Sequence, residues 1–267
     1  MTRTNSAYIA HASLPLMIWL SPAFPVGSFA YSHAIEWAVE AGDLPNAGAL
    51  QSWLTDLLQH GAPRNDAIIL AAAWRAAGDA DMGALAEANN LALALAGSRE
   101  RYLETTAQGD AFMIAIRAAW ATDRLLALDC SLGVPPRHDL MPALVPGNES
   151  RDPTAGGLAT VASGNHRSAI AYPVAIGLAA AAHDLELGAT LDAYLTALVT
   201  NFTSAAIRLG ITGQTDAQRI VMEAVPAIRE LGQFAAHATL DDVGGCAFRS
   251  DIASMRHETQ ATRLFRT

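Results

Sequence analysis

Apolar and polar positions alternate along this chain with the period of a helix. Leu50, Trp53, Leu54, Leu57 and Leu58 recur at spacings of three and four, which gathers them into one stripe. Leu191, Tyr194, Leu195, Leu198, Val199, Phe202 and Leu209 repeat in the same way. Local stop and start signals divide the pattern. A helix is predicted from Phe29 to Ala41, with Ser28 as its cap and Gly42 and Pro45 as its stop. Asn46 caps the next, and Pro63 suits the first turn of a third that carries Ile68, Ile69, Leu70 and Trp74. A fourth is predicted from Met82 to Leu95, before Gly97, and Ser98 opens a long one reaching about Leu128.

Between Val134 and Gly164 the pattern dissolves among five prolines and several glycines. Helical texture is the same on both sides, so this is read as a long loop within one domain. Helices resume near His166, and Thr212 to Asp216 makes a turn. The helix beyond it, through Ile220, is predicted to kink or split at Pro226. Asp241 to Gly245 reads as a loop and Asp251 to Phe265 as a final, partly amphipathic segment. No strand series of period two is present. The expected fold is all-α: one domain over 1–267, a bundle of about ten helices, with an irregular loop at 134–164 and a C-terminal tail at 249–267.

Thr4 to Ile35 carries no formal charge, yet it holds Trp19, Phe24, Phe29 and Tyr31. Pro22, Pro25 and Gly27 make its middle stiff and sharply turned. That much aromatic surface is not left to water, so the segment is covered by the protein's own core or by a partner.

Charge and composition narrow the function. The chain has no lysine, so it lacks the P-loop residue that reaches nucleotide phosphates. A net charge of −9 without a basic cluster argues against nucleic acid. Arg3 followed by Leu14 to Leu20 imitates a secretory leader, but Pro15 breaks the apolar run. The longest apolar run, Ala169 to Ala182, is too short to span a bilayer, so a cytoplasmic protein with no membrane partner is expected. Cys130 and Cys246 make no paired motif and are expected to be reduced, buried or incidental. His257-Glu258 begins a zinc-protease pattern that fails at Ala261. The other histidines have no ligand spacing. No catalytic residue, cofactor or metal site of the chain's own is predicted. Arg99, Glu100, Arg101 and Glu104 read first as a solvated helix face and second as a partner contact. Arg249, Arg256, Arg263 and Arg266 with Leu264-Phe265 mark the tail as a docking segment, against the alternative of a frayed terminus.

The run Leu20-Ser21-Pro22-Ala23-Phe24-Pro25-Val26-Gly27, followed by Phe29, Tyr31-Ser32-His33 and Glu36, resembles the opening signature of the urease accessory protein F (UreF) family. Four further patches extend the resemblance over most of the chain. They are Arg99-Glu100 to Phe112, Tyr172-Pro173-Val174 with Gly177, Asn201 to Gln218, and Asp251 to Arg266. Departures occur at Ala30, Ala34, Gly210, Thr212 and Ala261. The resemblance implies an all-α homodimer that is not an enzyme. It implies a scaffold that binds UreD (also called UreH), recruits the nickel-carrying GTPase UreG and supports nickel insertion into apo-urease. It also implies a partner-binding set: Phe24, Phe29, Tyr31, His33, Glu36, Arg208, Gln214, Asp216, Arg256, His257, Glu258, Arg263, Leu264 and Phe265. Two other classes remain at this point: a helical enzyme with an unfamiliar site, and a direct nickel carrier using the scattered histidines. The tail is further expected to order on the Phe24 to Tyr31 region when UreD binds, with Arg263 near Phe29 or Tyr31.

Overall fold

A computed structural model describes residues 14–131 and 169–266. Within them the chain forms a helical stretch over 14–19, ten further α-helices and two short 3-10 turns, with no strand. The helices are α1 (Ile35–Glu40), α2 (Ala47–His60), α3 (Ala62–Gly78), α4 (Met82–Ala94), α5 (Arg99–Ala119), α6 (Asp123–Ser131), α7 (Tyr172–Ala182), α8 (Leu187–Arg208), α9 (Gln214–His237) and α10 (Phe248–His257). Their starts follow the predicted chemistry. Asn46, Asp81 and Ser98 each accept a hydrogen bond from a backbone N–H in the first turn of the helix they cap.

The apolar run that is too short for a membrane becomes the centre of the molecule. Every residue of α7 from Pro173 to Ala182 is buried, and α3, α4, α5, α6 and α8 pack around it. Two glycines let backbones meet there. A Cβ on Gly177 would lie 2.5 Å from the Leu70 carbonyl oxygen of α3, and one on Gly109 would lie 2.1 Å from that of Ile170. Each fully buried Leu, Ile or Val in this layer contributes about 1.5–3 kcal/mol. No helix among the described residues is long and apolar enough to cross a membrane.

Three predicted boundaries move. The helix expected from Phe29 to Ala41 is a 3-10 turn (Ser28–Ala30) entered from a left-handed Gly27, then a break, then α1. The break exists because His33 and Ala34 both take positive φ, 51° and 68°. The long helix from Ser98 stops at Ala119, where Trp120 turns to pack edge-on against Trp19, and the Thr122 hydroxyl accepts from the Leu125 N–H to start α6. Pro226 does not split α9, which runs unbroken to His237. Pro226 and Met222 lie on its exposed side, where a carbonyl that loses its donor is not shut away from solvent. The loop expected at 134–164 and the helical onset at His166 fall outside the described residues, and the first helix after them begins at Tyr172. Cys246 is exposed and free, which fits the incidental alternative and not the buried one.

Candidate functional site

From Leu14 on, three of the opening segment's four aromatic side chains are covered by the chain itself, while Leu14, Met17 and Ile18 are exposed. Trp19 is fully buried, and Phe24 and Tyr31 are buried, while Phe29 is 65% exposed. Positive φ at two successive residues folds the chain sharply just before α1. Glu36 of α1 and His33 just before it lie on one side, and Glu100 and Glu104 of α5 on the other, all with little exposed surface.

His33 and Glu104 form the first cluster. His33 Nδ1 lies 2.6 Å from Glu104 Oε1, and its Nε2 lies 2.8 Å from the Asn201 amide nitrogen on α8. Arg101 donates to Glu104 at 3.1 Å, sits 3.3 Å from His33 Nδ1 and approaches Asp66 at 3.7 Å. Tyr194 donates its hydroxyl to Asp66, and Gln108 donates to Glu104. Burial works against the Glu104 carboxylate, but His33 and Arg101 outweigh it and hold its pKa down at about 2. Burial raises the Asp66 carboxyl, with Arg101 and the Tyr194 hydroxyl only partly offsetting it. Burial also pushes Tyr194 well up. This cluster floors a cavity of ≈ 690 Å³ whose walls include Leu16, Leu20, Val26, Phe29 and Tyr172.

The second cluster holds the tail. His257, with no exposed surface, lies between Glu100 (Nδ1 to Oε2, 2.6 Å) and Glu36 (Nε2 to Oε2, 3.2 Å). Glu36 also accepts the backbone N–H groups of Leu264 at 2.5 Å and Phe265 at 3.0 Å. Arg263 donates to Glu100 Oε1 at 2.7 Å and to the Glu258 carbonyl. The Glu258 carboxylate accepts from the Arg99 N–H, and the Ser254 and Ser98 hydroxyls pair at 2.5 Å. Beyond the cluster, Arg266 N–H donates to the Ala30 carbonyl. The Phe265 ring is buried under the Arg208 guanidinium, 4.1 Å from its centroid, and Arg208 also donates to the Phe29 carbonyl. The tail is thus seated on the opening segment in this structure.

A family model described as UreF matches residues 44–225. The chain belongs to the UreF family. It is 47% identical to the urease accessory protein UreF of Rhodopseudomonas palustris strain HaA2, over 94% of this chain and 92% of that relative. The like-named protein of Xanthobacter autotrophicus strain Py2 is 46% identical, over 95% of this chain and 90% of that one. That of Methylobacterium radiotolerans is 42% identical over 96% of each.

In this UreF-family chain the first and last signature patches are the two sides of one seam. Phe29, His33, Glu36, Arg208, His257, Glu258, Arg263, Leu264 and Phe265 converge on it, while Tyr31 is buried just beneath. Phe24 is a core residue against Phe112. Arg256 is exposed on α10, in a shallow groove with Trp37 and Ile252. Gln214 and Asp216 stand apart, exposed in the first turn of α9, with Asp216 paired to Arg219. Arg263 is not on Phe29 or Tyr31 as expected. It satisfies Glu100, and the arginine over an aromatic face is Arg208 over Phe265.

Reading the first turns of α5 as a solvated face missed the site's main anchors. Glu100 is 6% and Glu104 2% exposed. A signal existed: two carboxylates one helical turn apart repel unless each has its own cation or donor. Asp66, Tyr194 and Asn201 carried no comparable signal, because only the packing of α3 and α8 brings them in. Among the described residues no three His, Cys, Asp or Glu side chains form a metal-holding group.

Proposed function

We propose that this chain is a non-enzymatic scaffold for urease maturation. It binds UreD (UreH), recruits the nickel-carrying GTPase UreG as a homodimer in the cytoplasm, and supports nickel insertion into apo-urease. The observation that carries the reading is the seam itself. The two stretches that most resemble the family's signatures, at opposite ends of the chain, meet in one surface that leaves Phe29, Arg256 and Leu264 accessible. A surface mixing aromatic, aliphatic and arginine side chains is the composition of a protein interface. Glu36 and His257 are buried and act on partners only through the tail they seat. Co-expression of the full chain with UreD and UreG tests the reading. Co-elution of the three is expected, and deletion of Arg256 to Thr267 is expected to abolish UreD binding while the rest stays folded. A full chain that elutes alone, or a deletion that still binds UreD, overturns it.

A further inference from the structure

The cavity floored by the His33–Glu104 cluster has the size and lining of a small-molecule site. Its volume of ≈ 690 Å³ falls within the roughly 300–1,000 Å³ of such sites, which are mostly apolar with a few placed polar groups. Leu16, Leu20 and Leu198 form apolar wall, and Phe29, 65% exposed, reaches it from the surface. The acids on the lining are unequally served. Glu104 has Arg101 and His33 in contact, and Asp192 has the Arg229 charge near it. Asp66 meets a cation only at 3.7 Å, beyond hydrogen-bond length, and that Arg101 is already bonded to Glu104. Both contacts of Asp66, with Arg101 and with the Tyr194 hydroxyl, run through Oδ2. Its Oδ1 accepts nothing among the described residues, and neither do the side-chain oxygens of Asn201 and Tyr172, which also line the cavity.

We propose that this cavity binds a small organic ammonium ion, a protonated primary amine on an apolar stem. An ammonium group has three donors and no acceptor. It complements a lining that offers unbonded acceptors and a poorly compensated carboxylate, and a charge-assisted bond to Asp66 supplies the preference for a cation. The Tyr172 ring lies 5.9 Å from that of Tyr194, whose hydroxyl is on Asp66, so aromatic surface that attracts cations flanks the carboxylate. The stem lies against Leu16, Leu20 and Leu198, where burial stabilises each methylene. A carboxylate ligand meets Asp66 and Glu104 with its own sign of charge, and a neutral alcohol leaves Asp66 as poorly compensated as before. The chain has no lysine, so no side chain of its own or of a second copy brings a primary ammonium. The ion comes from a free amine or from a lysine of another protein.

Titration of the full chain with n-hexylammonium, n-hexanol and hexanoate, followed by NMR at neutral pH and constant ionic strength, tests the site. Hexylammonium is expected to bind in a saturable way and at least about tenfold tighter than hexanol, with shifts centred on Tyr172, Tyr194 and Asn201. Hexanoate is expected not to saturate. Asp66→Asn keeps an oxygen for the Tyr194 hydroxyl and removes the charge. It is expected to weaken hexylammonium about tenfold and to leave hexanol within about twofold. Equal affinity for hexylammonium and hexanol overturns the proposal, as does an Asp66→Asn chain that binds hexylammonium unchanged. If that variant fails to fold, the wild-type preference decides. Nα-acetyl-lysine amide separates the two sources. Binding tighter than that of hexylammonium marks a protein's lysine, weaker binding marks a free amine, and either order supports the site. No urease protein enters the experiment, so its outcome is independent of whether the chain binds one.

Discussion

Two buried charge clusters lie one helical turn apart on the same two elements, α1 with its preceding turn and α5, yet they do different work. The His33–Glu104 cluster gathers Asp66 from α3 and Tyr194 and Asn201 from α8. It ties three long helices together. The Glu36–Glu100 cluster gathers only tail residues, His257 and Arg263. The first belongs to the body of the fold, whereas the second is a clasp on a segment of about ten residues. Burial alone does not separate them, since both hold carboxylates below a tenth exposed. What separates them is how many independent elements depend on each.

That difference predicts unequal mutational costs. Glu104→Ala strips His33, Arg101 and Gln108 of their shared acceptor inside the bundle and is expected to cost about 3 kcal/mol of global stability. Glu100→Ala is expected to cost about 1 kcal/mol in the global urea midpoint, because its loss frees mainly the tail. Equal losses would erase the distinction. The pH dependence sharpens it. Glu104 falls from an ordinary 4.5 to about 2 in the fold. Its contribution is therefore present in full above 4.5 and is lost as pH falls through that window toward 2. Urea midpoints of Glu104→Ala are expected to drop less steeply over the window than those of the wild type.

The two clusters were also unequally legible. Helix periods, caps at Asn46 and Ser98, and the all-apolar character of α7 can be read from neighbours in sequence, because the physics behind them is local. His257 could be flagged only as a failed zinc motif, since its partners stand 157 and 221 residues away. Arg208 enters the sequence reading only in the partner-binding set that the resemblance implies. Its bond to the Phe29 carbonyl and its stack on Phe265 depend on a turn with positive φ that no helix or strand pattern announces.

Arg208 itself is the next test. Arg208→Ala is expected to cost about 1 kcal/mol through loss of the ring stack and one charge-assisted hydrogen bond. The loss is expected to show as faster exchange at Phe265 and Arg266 more than as a lower melting temperature. Arg208→Lys keeps the charge but not the planar fork, and is expected to recover less than half of that protection. Unchanged tail exchange in Arg208→Ala would mean that Glu36 and Glu100 hold the tail without help from α8.

The smallest expected effect lies at Ala34, the residue that aims both clusters. Its φ of 68° is a conformation that costs a side-chain-bearing residue about 1–2 kcal/mol. Ala34→Gly relieves that strain. Against it stand the loss of a buried methyl, about 0.8 kcal/mol, and the greater freedom of glycine in the unfolded chain, about 0.4–1 kcal/mol. Ala34 is only 2% exposed and packs in the core, so the methyl term applies in full. The terms nearly cancel, and Ala34→Gly is expected to change stability by less than about 0.5 kcal/mol. Ala34→Val keeps the burial but adds a β-branch at positive φ, and is expected to cost more than about 2 kcal/mol. It is also expected to loosen the tail and the His33 cluster together, because Ala34 sits between His33 and Glu36. If Ala34→Val is tolerated, the turn is not what aligns the two clusters, and their shared geometry must come from α5 alone.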